Sequence, residues 1–272
     1  MNDLEAVAKL KPNKSLYEYG MSSLHAWIRC FECIIHIAYK LGIKKWQTRG
    51  EADKDLKEAR KKTIIDRLRN EMGLLVDIPK SGYGTTNDGN TARRFFQQPT
   101  LASEITGVDE DLIKRFGVIL RTMGCGFAIN VEEFRKYAMD TANLYVKLYS
   151  WYYMPSSVHK ILIHGADITK HAALPIGMLS EEALECRNKD LRYIREGHAR
   201  KTSRENTMYD LFHYLLLSSD PIISSSSSNP SHRYRSAEPL SKDVLSLLSD
   251  VSLANPEVKS ESEEDSEKLI KN

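Results

Sequence analysis

Apolar residues recur along this chain at the three- and four-residue spacing of helices, and no run alternates at the two-residue spacing of a half-buried strand. The clearest case is Tyr17 to Leu41, where Leu24, Trp27, Phe31, Ile34, Ile35, Ala38 and Leu41 share a face and Gly42 supplies a stop. A charged helix with a thinner apolar stripe is expected at Asp53–Met72. Others are expected at Thr91–Phe96, Asp109–Met123 and Val131–Tyr153, the last opened by the capping pair Asn130 and Glu133. Pro155 ends that helix, and Ser156 or Ser157 caps a short one closing at Gly165. Glu181–Glu196 follows, with Ser180 as N-cap and Gly197 as stop, and then Asn206–Leu217. With no internal repeat, the pattern predicts a mainly α protein.

Bulk properties narrow the class. Hydrophobic content of 41% supports a core, and a net charge of +2 means that any affinity for nucleic acid must come from local patches. Four cysteines without a secretory leader predict a reducing compartment, cytoplasmic or nuclear. No apolar run is long enough to cross a membrane. The residues after Pro221 include SSSSSNPS and SESEEDSEK; they read as a disordered tail with a transient helix at Lys242–Leu248.

Chemistry concentrates in LPIGMLSEEALECRNKDLRYIREGHARK, Leu174 to Lys201. Glu181, Glu182 and Glu185 open a helix there, and seven Arg or Lys follow between Arg187 and Arg204. Carboxylates that bind divalent metal beside cations that hold phosphates suit phosphodiester chemistry. Helical spacing sets Asn188, Lys189 and Arg192 on the face of Glu185. The same composition also describes a solvated helix laced with ion pairs, in which Glu181 and Glu182 only complement the helix dipole.

Three smaller constellations carry alternatives of their own. His159 and His164 in HKILIH are half of a tetrahedral zinc set, but five helical positions turn through roughly 500°, so one ion is shared only if the helix ends between them, as Gly165 suggests. Cys30 and Cys33 have ligand spacing yet sit inside an apolar helix and read as core thiols. Arg93 and Arg94 follow the loop NDGN, where Asn90 can cap, and suit either a phosphate or an ordinary helix start. His25, Arg29, Glu32 and His36 form a polar stripe, either a satisfied core network or the lining of a cleft.

Taken in order, SLHAWIRCFECIIHIAYKLGIKKWQ, GTTNDGNTARRFF, HKILIH, GMLSEEALECRNKD and EGHARKTSR resemble the C-terminal part of Transib-type DNA transposases. The catalytic subunit of the vertebrate V(D)J recombinase is related to these. The resemblance spans roughly residues 15–224. It implies a helical insertion domain (15–165) carrying the zinc histidines, then the Glu-bearing terminal helix of a split ribonuclease-H-like catalytic domain with a C-terminal helix (166–223). These would lie between a flexible N-terminus (1–14) and the tail (224–272).

It further implies that Glu185 binds Mg or Mn in a two-metal site, that His25 acts near the scissile phosphate, and that His159 and His164 bind Zn. Arg93, Arg94, Lys189, Arg192, Arg200, Lys201 and Arg204 would contact DNA. The family's two catalytic aspartates and its zinc cysteines are expected upstream of Met1, which leaves both metal sites incomplete here. The expectation is a transposase fragment or domesticated remnant in the nucleus. It would bind DNA and pair with an intact transposase subunit or with itself, without metal-dependent cleavage on its own. The rival is a non-enzymatic helical module that binds DNA or protein.

Overall fold

The computed structural model describes residues 17, 20–80, 84–223 and 239–249, leaving aside the side chains of Ala183, Leu184 and Cys186. The described residues are mainly helical, with two isolated β-bridges and no named strand. They form two compact units, one running to Ser180 and resuming at Leu240, the other covering Glu181–Pro239. The expected flexible N-terminus (1–14) and most of the expected tail lie outside the described residues.

The first unit is built around α1, Ser23–Lys40. It starts later than the apolar pattern suggests. Gly20 has φ +62° and closes a turn onto Tyr17, so the helix begins only once the Ser22 side chain can accept the His25 amide. Cys30, Phe31, Ile34, Ile37 and Ala38 are wholly buried. Around α1 pack α2 (Glu51–Met72), α3 (Gly89–Phe96), α4 (Pro99–Thr106), α5 (Glu110–Gly124) and α7 (Ser156–His171), while α6 (Val131–Tyr149) packs on α5 and α7. The α4 helix has no counterpart in the sequence reading; Pro99 starts it and Gly107, at φ +72°, stops it after two turns. Arg60 ties three helices together, donating from Nε to the Ala38 carbonyl at 2.6 Å and from Nη2 to the Thr106 carbonyl at 3.0 Å.

Two helix ends differ from expectation for packing reasons. The α6 helix stops at Tyr149 rather than Tyr153, because the chain turns to bury Tyr152 edge-on against Trp46 at 4.7 Å. The α7 helix runs through Gly165 to His171. Gly165 is there for proximity: a Cβ would lie 3.3 Å from the Phe134 ring.

Residues 239–249, which the sequence reading places in the tail, pack into the first unit. The short helix α10 (Lys242–Leu245) lies on α5, burying Val244, Leu247 and Leu248 in the main core. Leu247 accepts from the Asn130 amide at 2.9 Å, Ser249 donates to Ala128 at 2.9 Å, and Lys114 pairs with Asp243 at 3.0 Å. Upstream of the second unit, a 3₁₀ helix at Ile176–Leu179 is anchored on the same stretch. A Cβ on Gly177 would meet the Gly126 nitrogen at 2.5 Å. The chain therefore leaves the first unit and returns to it at Gly124–Asn130.

The loop before α3 is held by one half-buried carboxylate. Asp77 (φ +54°) accepts from Asn87 at 2.7 Å and Tyr39 at 3.1 Å and lies 3.3 Å from the Lys61 ammonium. Burial pushes its pKa up, but Asn87, Lys61 and Tyr39 outweigh that and hold it below the usual carboxylate range.

Leu248→Ala should cost about 2–3 kcal/mol despite lying beyond the second unit, read as a lower urea midpoint of first-unit unfolding; a midpoint unchanged from wild type would show that the returning segment is not part of that core. Because the folded pKa of Asp77 is depressed, its contribution is present above the unfolded value of about 4 and is lost as pH falls through the folded one. The acid-unfolding curve of Asp77→Asn should accordingly be flatter below about pH 4 than that of wild type.

Candidate nucleic-acid interface

The second unit contains two helices, α8 (Glu182–Gly197) and α9 (Arg204–Ser219), joined by a short turn. The N-cap position of α8 falls on Glu181 rather than Ser180, because Ser180 closes the 3₁₀ helix and receives the Ser23 hydroxyl at 3.5 Å. The two helices run antiparallel. Arg187 near the start of α8 donates to Ser218 near the end of α9, to both its hydroxyl and its carbonyl at 3.1 Å. At the turn, Arg200 grips Asp210 with Nη2 at 2.7 Å and its own backbone N–H at 2.8 Å. The Arg200 side chain, and then its backbone amide, hold the Asp210 carboxyl down at about 2. Among the described side chains of this unit only Ile194 and Leu211 are buried.

Between the helices lies an open cleft of about 770 Å³. From α8 it is lined by Asn188, Leu191, Arg192, Arg195 and Glu196, and from the turn and α9 by Lys201, Ser203, Arg204, Thr207, Met208 and Leu211. Four of these side chains are cationic and one is acidic, so the cleft is a positive trough with an apolar floor. Every third or fourth residue of α8 from Asn188 to Arg195 returns to one side, which brings Arg192 and Arg195 to the same trough. Lys201 also donates to the last-turn carbonyl of Glu196 at 2.9 Å, placing a cation at the negative end of α8.

The cleft gathers three of the expected DNA-contacting residues: Arg192, Lys201 and Arg204. It adds Arg195 and Asn188, which the sequence reading did not assign although their spacing from Arg192 is the signal that finds them. Arg200 is instead bound to Asp210. Lys189 and Glu185 are exposed on α8 outside the cleft lining. Arg93 and Arg94 belong to the first unit. Arg93 stacks over Trp27 at 5.6 Å, and Arg94 donates to the Met72 carbonyl at 2.8 Å and the Gly73 carbonyl at 3.3 Å, closing the end of α2. Asp88, not Asn90, caps α3, by accepting from Thr91.

His25 lies on the solvent side of α1, with Nδ1 2.8 Å from the Ser22 hydroxyl. The polar stripe it begins faces outward as well: Arg29 and His36 are exposed, and Arg29 pairs with Glu32 at 2.8 Å. Most of that stripe therefore lies at the surface of the first unit rather than in its core.

The histidine pair behaves differently from the helical arithmetic. Although α7 is unbroken, the rings of His159 and His164 meet edge to face at 5.1 Å. Burial, reinforced by His164, lowers the pKa of His159; burial likewise lowers that of His164 against the opposing pull of Asp167. Both rings are thus held toward the neutral form that binds a metal. Cys30 and Cys33 are buried in α1, and burial pushes the Cys33 thiol up to about 12 while Tyr145 lies 3.6 Å from its sulfur. Among the described residues no three His, Cys, Asp or Glu form a group fitted to hold a metal ion.

Thiol labelling of the native protein should modify the half-exposed Cys125 while sparing Cys30 and Cys33, which should react only at the rate of unfolding. Rapid native labelling of either buried cysteine, read by peptide mass, would refute their assignment to the core. No protein-family model matches the chain, and a search of curated proteins finds no match.

Proposed function

We propose that this chain binds the phosphate backbone of DNA through the α8–α9 cleft, as the C-terminal part or domesticated remnant of a Transib-type transposase. The observation that carries the binding is the convergence of Arg192, Arg195, Lys201 and Arg204 on one trough. The trough sets four cations against one carboxylate, Glu196, and the neighbouring Asp210 is bound to Arg200, so the local charge favours a polyanion. The family assignment is supported by the ordered sequence motifs, and the mainly helical fold agrees with it.

Under this reading Glu185 is the third carboxylate of a two-metal centre, and His159 with His164 are half of a zinc site. The remaining ligands of both come from protein outside this sequence. Mg or Mn would supply Lewis-acid activation of water and of the leaving oxygen, and only with those ligands would strand cleavage and transfer follow. Without them the chain acts as a DNA-binding helical module, in the nucleus, alone or with an intact transposase subunit. In-frame genomic sequence upstream of Met1 that encodes a Cys-x-x-Cys and two strand-borne aspartates decides between the two forms.

If four phosphates are neutralised, affinity for duplex DNA should fall about a hundredfold between roughly 50 and 200 mM salt. Arg192→Ala and Arg204→Ala should each lower the slope of that dependence by about one. A filter-binding titration that is flat across ionic strength would remove DNA from the account.

A further inference from the structure

The cleft is bordered by aromatic and apolar side chains that backbone binding does not use. On α9, Met208, Tyr209, Phe212 and Leu216 follow one another at positions i, i+1, i+4 and i+8, which is one stripe of a helix. They are 57%, 59%, 61% and 55% exposed. Met208 is also part of the cleft lining, so the stripe begins where the cations end. One of its rings is braced: Tyr209 packs on His213 with centroids 4.3 Å apart, and on α8 Tyr193, 64% exposed, packs on His198 at 4.7 Å.

Resting on the backbone-binding reading, we propose that the α8–α9 unit prefers unpaired nucleotides, holding a single strand by its phosphates in the cleft and by its bases on Tyr209 and Phe212. The charge of the cleft selects a polyanion. Flat rings beside it have no use against a paired duplex, whose base faces are stacked on one another and whose groove edges call for hydrogen-bonding groups. An unpaired base offers its whole face, and stacking on an aromatic ring tolerates any sequence. One helical turn separates Met208 from Phe212, about 6 Å along α9, so the step from a phosphate site to a ring lies within one nucleotide's reach. The bracing histidines hold Tyr209 and Tyr193 in place before a base arrives, which lowers the ordering cost of binding.

The test is fluorescence anisotropy of the full chain with a labelled oligothymidylate, and with a blunt duplex of equal length, in the same salt. The single strand should bind about tenfold more tightly or better. Tyr209→Ala with Phe212→Ala should erase that preference while duplex affinity and its salt slope stay as in wild type, and Phe212→Tyr should keep it. Equal affinity for both probes in wild type, or a preference that survives in the double alanine variant, would overturn the proposal and leave backbone binding intact. Binding of neither probe would instead bring down the backbone reading and this one with it. Sedimentation of the same variants covers the other occupant: a self-association that the double variant abolishes, with probe preference unchanged, would assign the stripe to protein docking and overturn the proposal.

Discussion

The burial of α1 organises the first unit. A helix whose Phe31, Ile34, Ile37 and Ala38 are all inaccessible needs neighbours on every side but one, and five other helices supply them. The remaining side is where His25, Arg29, Glu32 and His36 emerge. The charged groups of that stripe belong there, because a buried charge without a partner costs more than the unit can offset. The same demand explains Arg60 and Arg94, which spend their guanidinium groups on carbonyls at the ends of α1, α4 and α2.

The second unit inverts this balance. Among its described side chains two buried apolar groups are a small core for a helical pair, and polar clamps stand at both ends. Arg187 holds one end and the Arg200–Asp210 fork the other. What lies between them is free to be chemically specialised, and there the chain places its cations and its exposed rings. Clamp residues and cleft residues are of the same type, and only three-dimensional pairing separates the arginine that builds the unit from the arginine that faces a ligand.

Much of the fold was legible because it is local. The helical period marked α1, Asn130 and Glu133 marked the start of α6, and the apolar setting of Cys30 and Cys33 marked them as core. The density of Arg and Lys between Arg187 and Arg204 is plain in the sequence, and Arg192, Lys201 and Arg204 share a cleft. The sequence was silent where partners are distant. Nothing near Arg94 or Arg200 says that each is bound, since their acceptors are 22 and 10 residues away. The period at Lys242–Leu248 marks a helix, but the burial of Val244, Leu247 and Leu248 depends on α5 and on Ala128–Asn130, far away in sequence. Gly165 signalled a helix end by habit of glycine, whereas its cause is the Phe134 ring beside it.

The return of the chain to Gly124–Asn130 has a consequence for how such a protein can change over time. Once both ends of a segment are fixed on one spot, closing the loop costs an entropy that rises only with the logarithm of its length. Lengthening the stretch between Ser219 and Leu240 therefore hardly weakens the returning clasp, and neither does remodelling α8 and α9. The first unit acts as a fixed frame into which new recognition surfaces can be spliced, and selection can alter the ligand without renegotiating the core.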